Sequence, residues 1–560
     1  MQKNLQLKRI YLGSFIILMI IAGIIASSPI VETDIFWHLA HGKYIIEEHH
    51  LPTQDPFTYT AKYWQDVNHE WLSQIIFALI DIHYGLRGLR IARAILVVLT
   101  LVTGFIIFYL ISRRYDLSFL ASALWWILMQ PNVSIRPHLF GWLSFLAVVY
   151  LLANSTNWSV KKYIVVFVIS VIAINLHPTI MIVPILCAIY IVFYVASLIL
   201  EEIIKKFKKE QTAIQWIVVL KGLINVKPYL IVILISALAY CIQPSGIKLF
   251  FYVMATPSVN VGLNNEWLPF IAEDVWHYRP FLLITFFLIM ILTLVAAVFS
   301  CTSGLKLFPG WAVSIFVLLI AIDARRMTFF VFVALLFSIS WISKWVEGKK
   351  VLKIDPFLAV IACAIILLGT LMITKRPDIP FFMEKDILPN RFPEKACDFL
   401  EKAQLQGNMF NPTTWGGYLS YRLYPQYKVM CDGRWIIAGR DFVIDNIRFI
   451  NRKTNVEHIA DRYQTDYLIQ PMIDYAQSYP LNPFNWIMIY NDKASVILLR
   501  RKGLKYKENF LRVCEFYNKN PEYLKNAIWP ILYNQISKDI SPFSIPSILY
   551  FCNKGEQNNR

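Results

Sequence analysis

Two carboxylic acids, Glu32 and Asp34, follow an apolar run that ends near residue 30, and the polar stretch behind them adds His38, Asp55, Asp66, His69 and Glu70. A carboxylate at such a place can take a proton from a hydroxyl. It can equally sit solvated and cap the helix that follows it. Position alone leaves both readings of Asp34 open. Glu70, with His69 beside it, precedes a second helical stretch, where a carboxylate either meets a ligand or completes a helix N-terminus. Asp55, ahead of Pro56, reads as a turn former.

Cationic and imidazole groups recur farther along. Arg136 and His138 flank Pro137, His177 precedes Pro178, and Arg325 and Arg326 are adjacent. Paired guanidiniums can clamp a phosphate or snorkel to lipid headgroups. Each lone histidine is either a ligand-facing group or a satisfied interfacial residue. Glu266, in the string N-E-W (265–267), is either a second acid for an acceptor or part of a loop anchored by Trp267.

The elements that must hold these residues are apolar. The chain of 560 residues is 57% hydrophobic and only 16% charged, with a mean hydropathy of +0.49. An ordinary globular domain is about 45–50% apolar and about 25% charged. The excess is clustered into runs of about 20 residues, the length that crosses a hydrocarbon core, which excludes a large soluble enzyme. Lys+Arg 54 against Asp+Glu 37 gives +17. Those cations sit in short loops beside apolar runs, as the positive-inside rule requires, so they orient the chain rather than bind nucleic acid.

The runs fall near 10–30, 88–112, 117–131, 138–153, 162–176, 178–200, 228–243, 281–300, 308–322, 327–345 and 355–374, predicting about 11 membrane helices. The first reads as an uncleaved helix rather than a signal peptide, because it is long and no small-residue cleavage site follows. With the N-terminus inside, the cytoplasmic loops receive Arg113 and Arg114, Lys161 and Lys162, Lys205 to Lys209, Lys306, and Lys344 to Lys353. The long first loop, 31–87, and the loop at 244–280 then lie outside. Within the first loop, residues 71–85 are too short to span. Trp71, Leu72, Ile75, Ile76, Leu79 and Ile80 share one face, predicting an amphipathic helix in the interface.

These runs predict a transmembrane domain over 1–375 and a soluble α/β domain over 376–560. In the latter, helices are expected at 393–405 and 415–423, and strands at 408–410, 428–431, 467–470, 486–490 and 494–499. The 8 cysteines show neither CxxC nor zinc spacing. Of the four in the tail, Cys397, Cys431, Cys514 and Cys552, some can form one or two disulfides if that domain is extracytoplasmic.

The strings E-T-D-I-F-W-H-L-A-H-G-K-Y-I (32–45), D-P-F-T-Y-T (55–60) and N-H-E-W-L-S-Q (68–74) resemble a bacterial branch of the GT-C glycosyltransferases. So do R-P-H-L-F (136–140), N-L-H-P (175–178), Q-P-S-G (243–246), N-E-W (265–267), W-G-G-Y-L (415–419) and D-G-R (432–434). The resemblance covers most of the chain and implies a GT-C-like polytopic fold in the bacterial inner membrane, with the C-terminal domain extracytoplasmic. It implies transfer of a sugar from a polyprenyl-phosphate donor to a glycan, lipid or protein acceptor on the outer face, inverting the anomeric centre. It implies Asp34 as catalytic base, with Glu32 as the alternative, since Thr33 separates two acids that many members carry side by side. Arg325 and Arg326 would hold the phosphate. His69, Glu70, Arg136, His138, His177 and Glu266 would contribute to substrate binding. A divalent cation, Mg or Mn, would fall to Glu32 and Asp34. The competing reading is a transporter, flippase or polymerase/ligase of glycan assembly. For Trp415, Tyr418, Asp432 and Arg434, a packed core with an internal ion pair is expected in preference to a sugar-binding surface.

Overall fold

A computed structural model describes residues 2–61, 67–153, 158–208, 215–260, 265–272, 275, 279–301, 308–347, 355–374, 384–450, 456–472 and 485–525. Asp66 and Cys552 lie outside these described residues. The chain divides into two compact units. One comprises Met1–Ser28, His69–Ser73 and His83–Met383; the other comprises Pro29–Asn68, Gln74–Ile82 and Glu384–Arg560. This differs from the linear division expected at 375/376, because most of the first loop belongs with the tail. The reason lies in its pairing: Ile30 bridges Ile387 and Thr58 bridges Val429.

In chain order the helices are α1 (Gln2–Ala26), α2 (Asp34–Glu48, in the second unit), α3 (Trp71–Ser112), α4 (Tyr115–Met129), α5 (His138–Ala153), α6 (Val160–Leu176) and α7 (Ile182–Phe207). Then come α8 (Trp216–Gly222), α9 (Lys227–Tyr240), α10 (Lys248–Asn260), α11 (Pro280–Cys301), α12 (Phe308–Asp323), α13 (Val331–Glu347) and α14 (Pro356–Thr374). Each expected apolar run is helical. Hydrocarbon offers no partner for backbone N–H and C=O groups, so an apolar run meets them within its own helix. Among the described residues, six helical stretches are long and apolar enough to cross a membrane, and α5, α12 and most of α14 are shorter apolar helices. The fold is that of a polytopic α-helical membrane protein. Outward-facing positions carry Ile, Leu, Val and Phe, while serines and threonines inside bond back to their own helix, as Thr293 does to Ile289. Helix α10 was not expected. Its 13 residues are too short to read as a span, yet they suffice for three helical turns.

Helix α3 is broken at Gly85, whose φ of 63° and ψ of −167° are not helical. That break separates the expected interfacial helix from the expected span. Before it, Leu79 and Ile82 are exposed while Trp71, Leu72, Ile75, Ile76 and Ile80 are half-buried. The polar side is buried at Ser73, Gln74 and Asp81.

The second unit holds a mixed four-stranded sheet of β1 (Asn408–Phe410), β2 (Thr465–Pro471), β3 (Trp486–Asn491) and β4 (Ser495–Arg500), in the order β1-β2-β4-β3. Strands β1 and β2 are parallel and the other pairs antiparallel. Every residue of β3 and β4 is buried, as in a sheet covered on both faces. On one face Leu468, Met488, Val496 and Leu498 pack with Phe442 and Ile459. On the other Phe399 stacks on Tyr490 at 4.8 Å and meets Phe516. Residues 428–431 are not the expected strand. Asn411 takes up backbone groups there, accepting from Met430 N–H and donating to the Cys431 carbonyl, and Val429 makes an isolated bridge to Thr58. Helix α2 packs against Thr413–Leu423 through Phe36 and Tyr418. Cys514 is disulfide-bonded.

Candidate functional sites

In the second unit, Asp34 opens α2 and occupies its first turn. One face of that helix carries residues 34, 37 and 41, at i, i+3 and i+7, and the turn Asp432–Gly433–Arg434 lies along it. A β-carbon on Gly433 would stand 2.6 Å from Asp34 Oδ1 and 3.4 Å from Trp37 Nε1. Arg434 donates from Nη1 to His41 Nε2 at 3.0 Å, while His41 Nδ1–H donates to the Trp37 carbonyl at 3.0 Å. Those two bonds fix His41 as the neutral Nδ1–H tautomer, since a guanidinium only donates and a carbonyl only accepts.

The same arginine pairs with Asp432 Oδ2 at 2.6 Å and with Asp55 Oδ1 at 2.8 Å, all three side chains being buried. Asp55 also accepts the Thr58 N–H at 2.9 Å. It is therefore the turn former expected from Asp-Pro and half of a buried ion pair as well. Trp415 and Tyr418 are buried in the packed interior, in keeping with the core reading of this region. Glu32 accepts the neighbouring Val31 N–H at 3.3 Å.

In the first unit the remaining candidates form two adjoining groups. Glu70 occupies the N-cap position of α3, yet its side chain makes no capping bond. Its Oε1 lies 3.2 Å from His177 Nε2 and 3.6 Å from His69 Nε2. His177 Nδ1 accepts the Thr179 N–H at 3.0 Å, so its proton resides on Nε2 and is donated to Glu70. Glu70 and His177 are 7% and 9% exposed, and a carboxylate so buried requires such a donor. Trp71 Nε1 donates to Asn175 Oδ1, and Ser73 donates to the Leu176 carbonyl, tying this segment to the end of α6.

The His138 ring lies 6.2 Å from that of His177. Its Nε2 donates to the Asn132 carbonyl at 2.9 Å, and the Asn132 amide donates to the Arg325 carbonyl and to Thr328 Oγ1. Arg136 Nη1 pairs with Glu266 Oε1 at 2.7 Å. Arg326 stands 4.8 Å above the Trp267 ring, and Arg325 Nε donates to the Pro269 carbonyl at 3.2 Å. Segments 130–138, 265–270 and 325–330 thus join in one polar belt of three guanidiniums and one carboxylate. Burial raises the Glu266 pKa, but the Arg136 and Arg326 charges outweigh it and hold the carboxyl below the usual range.

The structure therefore brings Glu70, His69 and His177 together, and Arg136, His138, Glu266, Arg325 and Arg326 together. Asp34 and Glu32 belong to the other compact unit. The sequence reading missed His41, Trp37 and Gly433 as neighbours of this chemistry. Helical spacing from Asp34 points to the first two, whereas nothing local marks Gly433.

No protein-family model matches the chain, and no curated protein matches it. Among solved structures it is similar to the crystal structure of the Archaeoglobus fulgidus oligosaccharyltransferase in the apo form. The TM-score is 0.49 with 11% identity, covering 83% of this chain and 70% of that one. At that identity and superposition no residue role is transferred.

Proposed function

We propose that this protein is a membrane glycosyltransferase that moves a sugar from a polyprenyl-phosphate donor to a glycan, lipid or protein acceptor. The observation that carries the reading is the placement of Asp34. Its carboxylate stands in the first turn of the helix that follows the first apolar helix, where lipid-borne donor and aqueous acceptor would meet. In the step assigned to it, the acceptor hydroxyl oxygen bonds to the anomeric carbon as the bond from that carbon to the phosphate oxygen breaks. The bonding pair leaves on the polyprenyl phosphate and the hydroxyl proton passes to Asp34, with inversion at the anomeric centre. Glu32 is the alternative base.

Arg325 and Arg326 are assigned to the donor phosphate, and His69, Glu70, Arg136, His138, His177 and Glu266 to donor or acceptor binding. No step is routed through a divalent cation. Among the described residues no group of three or more His, Cys, Asp or Glu is placed to hold one; Glu32 and Asp34 are the residues assigned to it should the reaction need one.

We place the chain in a bacterial inner membrane with the tail outside. The run of lysines in the expected cytoplasmic loops supports this orientation.

The test is purified protein in liposomes supplied with undecaprenyl phosphate carrying radiolabelled sugars, with membrane extract as acceptor. Covalent transfer with release of undecaprenyl phosphate is expected. Movement of the labelled lipid across the bilayer without any transfer would make the protein a flippase instead, and transfer of preassembled oligosaccharides alone would make it a polymerase or ligase.

A further inference from the structure

We propose that the tail turn Asp432–Gly433–Arg434 positions the Asp34 carboxylate, and that Gly433 is a positioning residue for proton abstraction. The inference rests on the reading of Asp34 as base and deepens it, because it assigns part of the catalytic geometry to a segment almost 400 residues away in the chain.

The argument begins with why residue 433 is glycine. Its φ is not among the positive values found at Gly85, Gly246, Gly407 and Gly439. Backbone conformation therefore does not require glycine there. Space does. A β-carbon would stand 2.6 Å from Asp34 Oδ1 and 3.4 Å from its Cγ, and a carboxylate oxygen does not tolerate carbon at 2.6 Å. Any side chain at 433 must push the Asp34 carboxylate aside.

The turn cannot yield in its place. Asp432 Oδ1 accepts the Arg434 backbone N–H at 2.9 Å, closing the turn on itself. The Arg434 guanidinium is then held by Asp432, Asp55 and His41. His41 stands two turns beyond Asp34 on the same helix, so the turn is anchored to the element whose first residue it limits. Between them Trp37 fills the face, with the Arg434 guanidinium 5.8 Å from its ring. The Trp37 indole N–H is buried beside Gly433 with no hydrogen-bond partner among the described residues. A second neighbour, Gly417, admits Trp37 closely enough that a β-carbon would lie 3.0 Å from its backbone nitrogen. The tail thus backs this helix at two glycines, and the one beneath Asp34 sets where its carboxylate stands.

The decisive measurement is a thermal double-mutant cycle on the full-length purified protein. Gly433→Ala is compared in the wild-type background and in Asp34→Ala, where the obstructing carboxylate is gone. The expected result is a fall in Tm in the first background, small because the displaced atom ends a flexible side chain, and none in the second. Folding of Gly433→Ala only when combined with Asp34→Ala supports the proposal equally. The same fall in both backgrounds, or failure to fold in both, overturns it.

Turnover supplies the second readout, with undecaprenyl phosphate carrying a radiolabelled hexose as donor. Gly433→Ala is expected to lose about 100-fold in kcat, the usual cost of misplacing a catalytic group by about 1 Å, while KM for the donor stays unchanged. An equal loss through KM alone overturns positioning. Asp34→Asn separates the two claims. Wild-type turnover in Asp34→Asn removes the base assignment and this inference with it. Loss of turnover in Asp34→Asn alongside wild-type turnover in Gly433→Ala removes the positioning role alone.

Discussion

Glu266 shows how a residue's charge state is set by its neighbours. Burial opposes its ionisation, yet Arg136 at 2.7 Å and the nearby Arg326 charge hold its pKa below the ordinary 4.5. A depressed folded-state value means that the ionised form is the one the fold favours. Its contribution to stability is present above about pH 4.5 and is lost as the pH falls through the folded-state value. Glu266→Gln is therefore expected to lower Tm at neutral pH by roughly 1–3 °C and to flatten the acid side of the Tm profile. Thermal unfolding in detergent at stepped pH checks this. An acid profile identical to wild type would show that the pair contributes nothing.

At this scale the sequence disclosed which residue types collect in the polar loops. It did not disclose their partners. His41 and Arg434, or Arg136 and Glu266, are joined across 393 and 130 positions, separations that no local pattern encodes. The Glu70 side chain shows the same limit: a helix cap was an open reading, and the carboxylate turns instead to His177.

Elements were far more legible, because an apolar run in hydrocarbon can only be helical. The stretch before Gly85 was legible as a helix separate from the span that follows, and the break at Gly85 divides them. Gly85 itself carries a sharp expectation. Its φ and ψ lie in a region open essentially to glycine alone, so Gly85→Ala should cost about 1–3 kcal/mol. Gly369 is the control, since it sits within α14 and an added β-carbon there meets nothing within 4 Å. Gly369→Ala should be neutral or slightly stabilising. Comparable losses in both variants, read by thermal unfolding, would show that the break in α3 stores no such constraint. Residues 428–431 mark where reading by element fails. Val429 lies in a short apolar stretch that resembles a strand, but a single buried asparagine, Asn411, captures backbone groups of Met430 and Cys431.

For the whole molecule, the compact units do not follow the linear order of the chain. A tail beginning near residue 376 is the natural division by composition, yet residues 29–68 complete the compact unit to which the tail belongs. The physical cause is buried charge. Arg434 needs more than its own turn to be satisfied, and Asp55 from the first loop supplies the second carboxylate. Removing one partner from such a cluster costs about 3–5 kcal/mol, which binds the two segments into one folding unit. The first loop and the tail motif are thereby joined through the Arg434 cluster.

The most direct test of the account is the turnover of undecaprenyl-phosphate-linked sugar by Asp34→Asn, measured beside wild type in the same proteoliposomes with folding verified for both. The amide keeps the size of the side chain and cannot accept the hydroxyl proton. The account predicts covalent transfer by wild type and a loss of at least about 100-fold in the variant. Equal rates of transfer by the two proteins would contradict it.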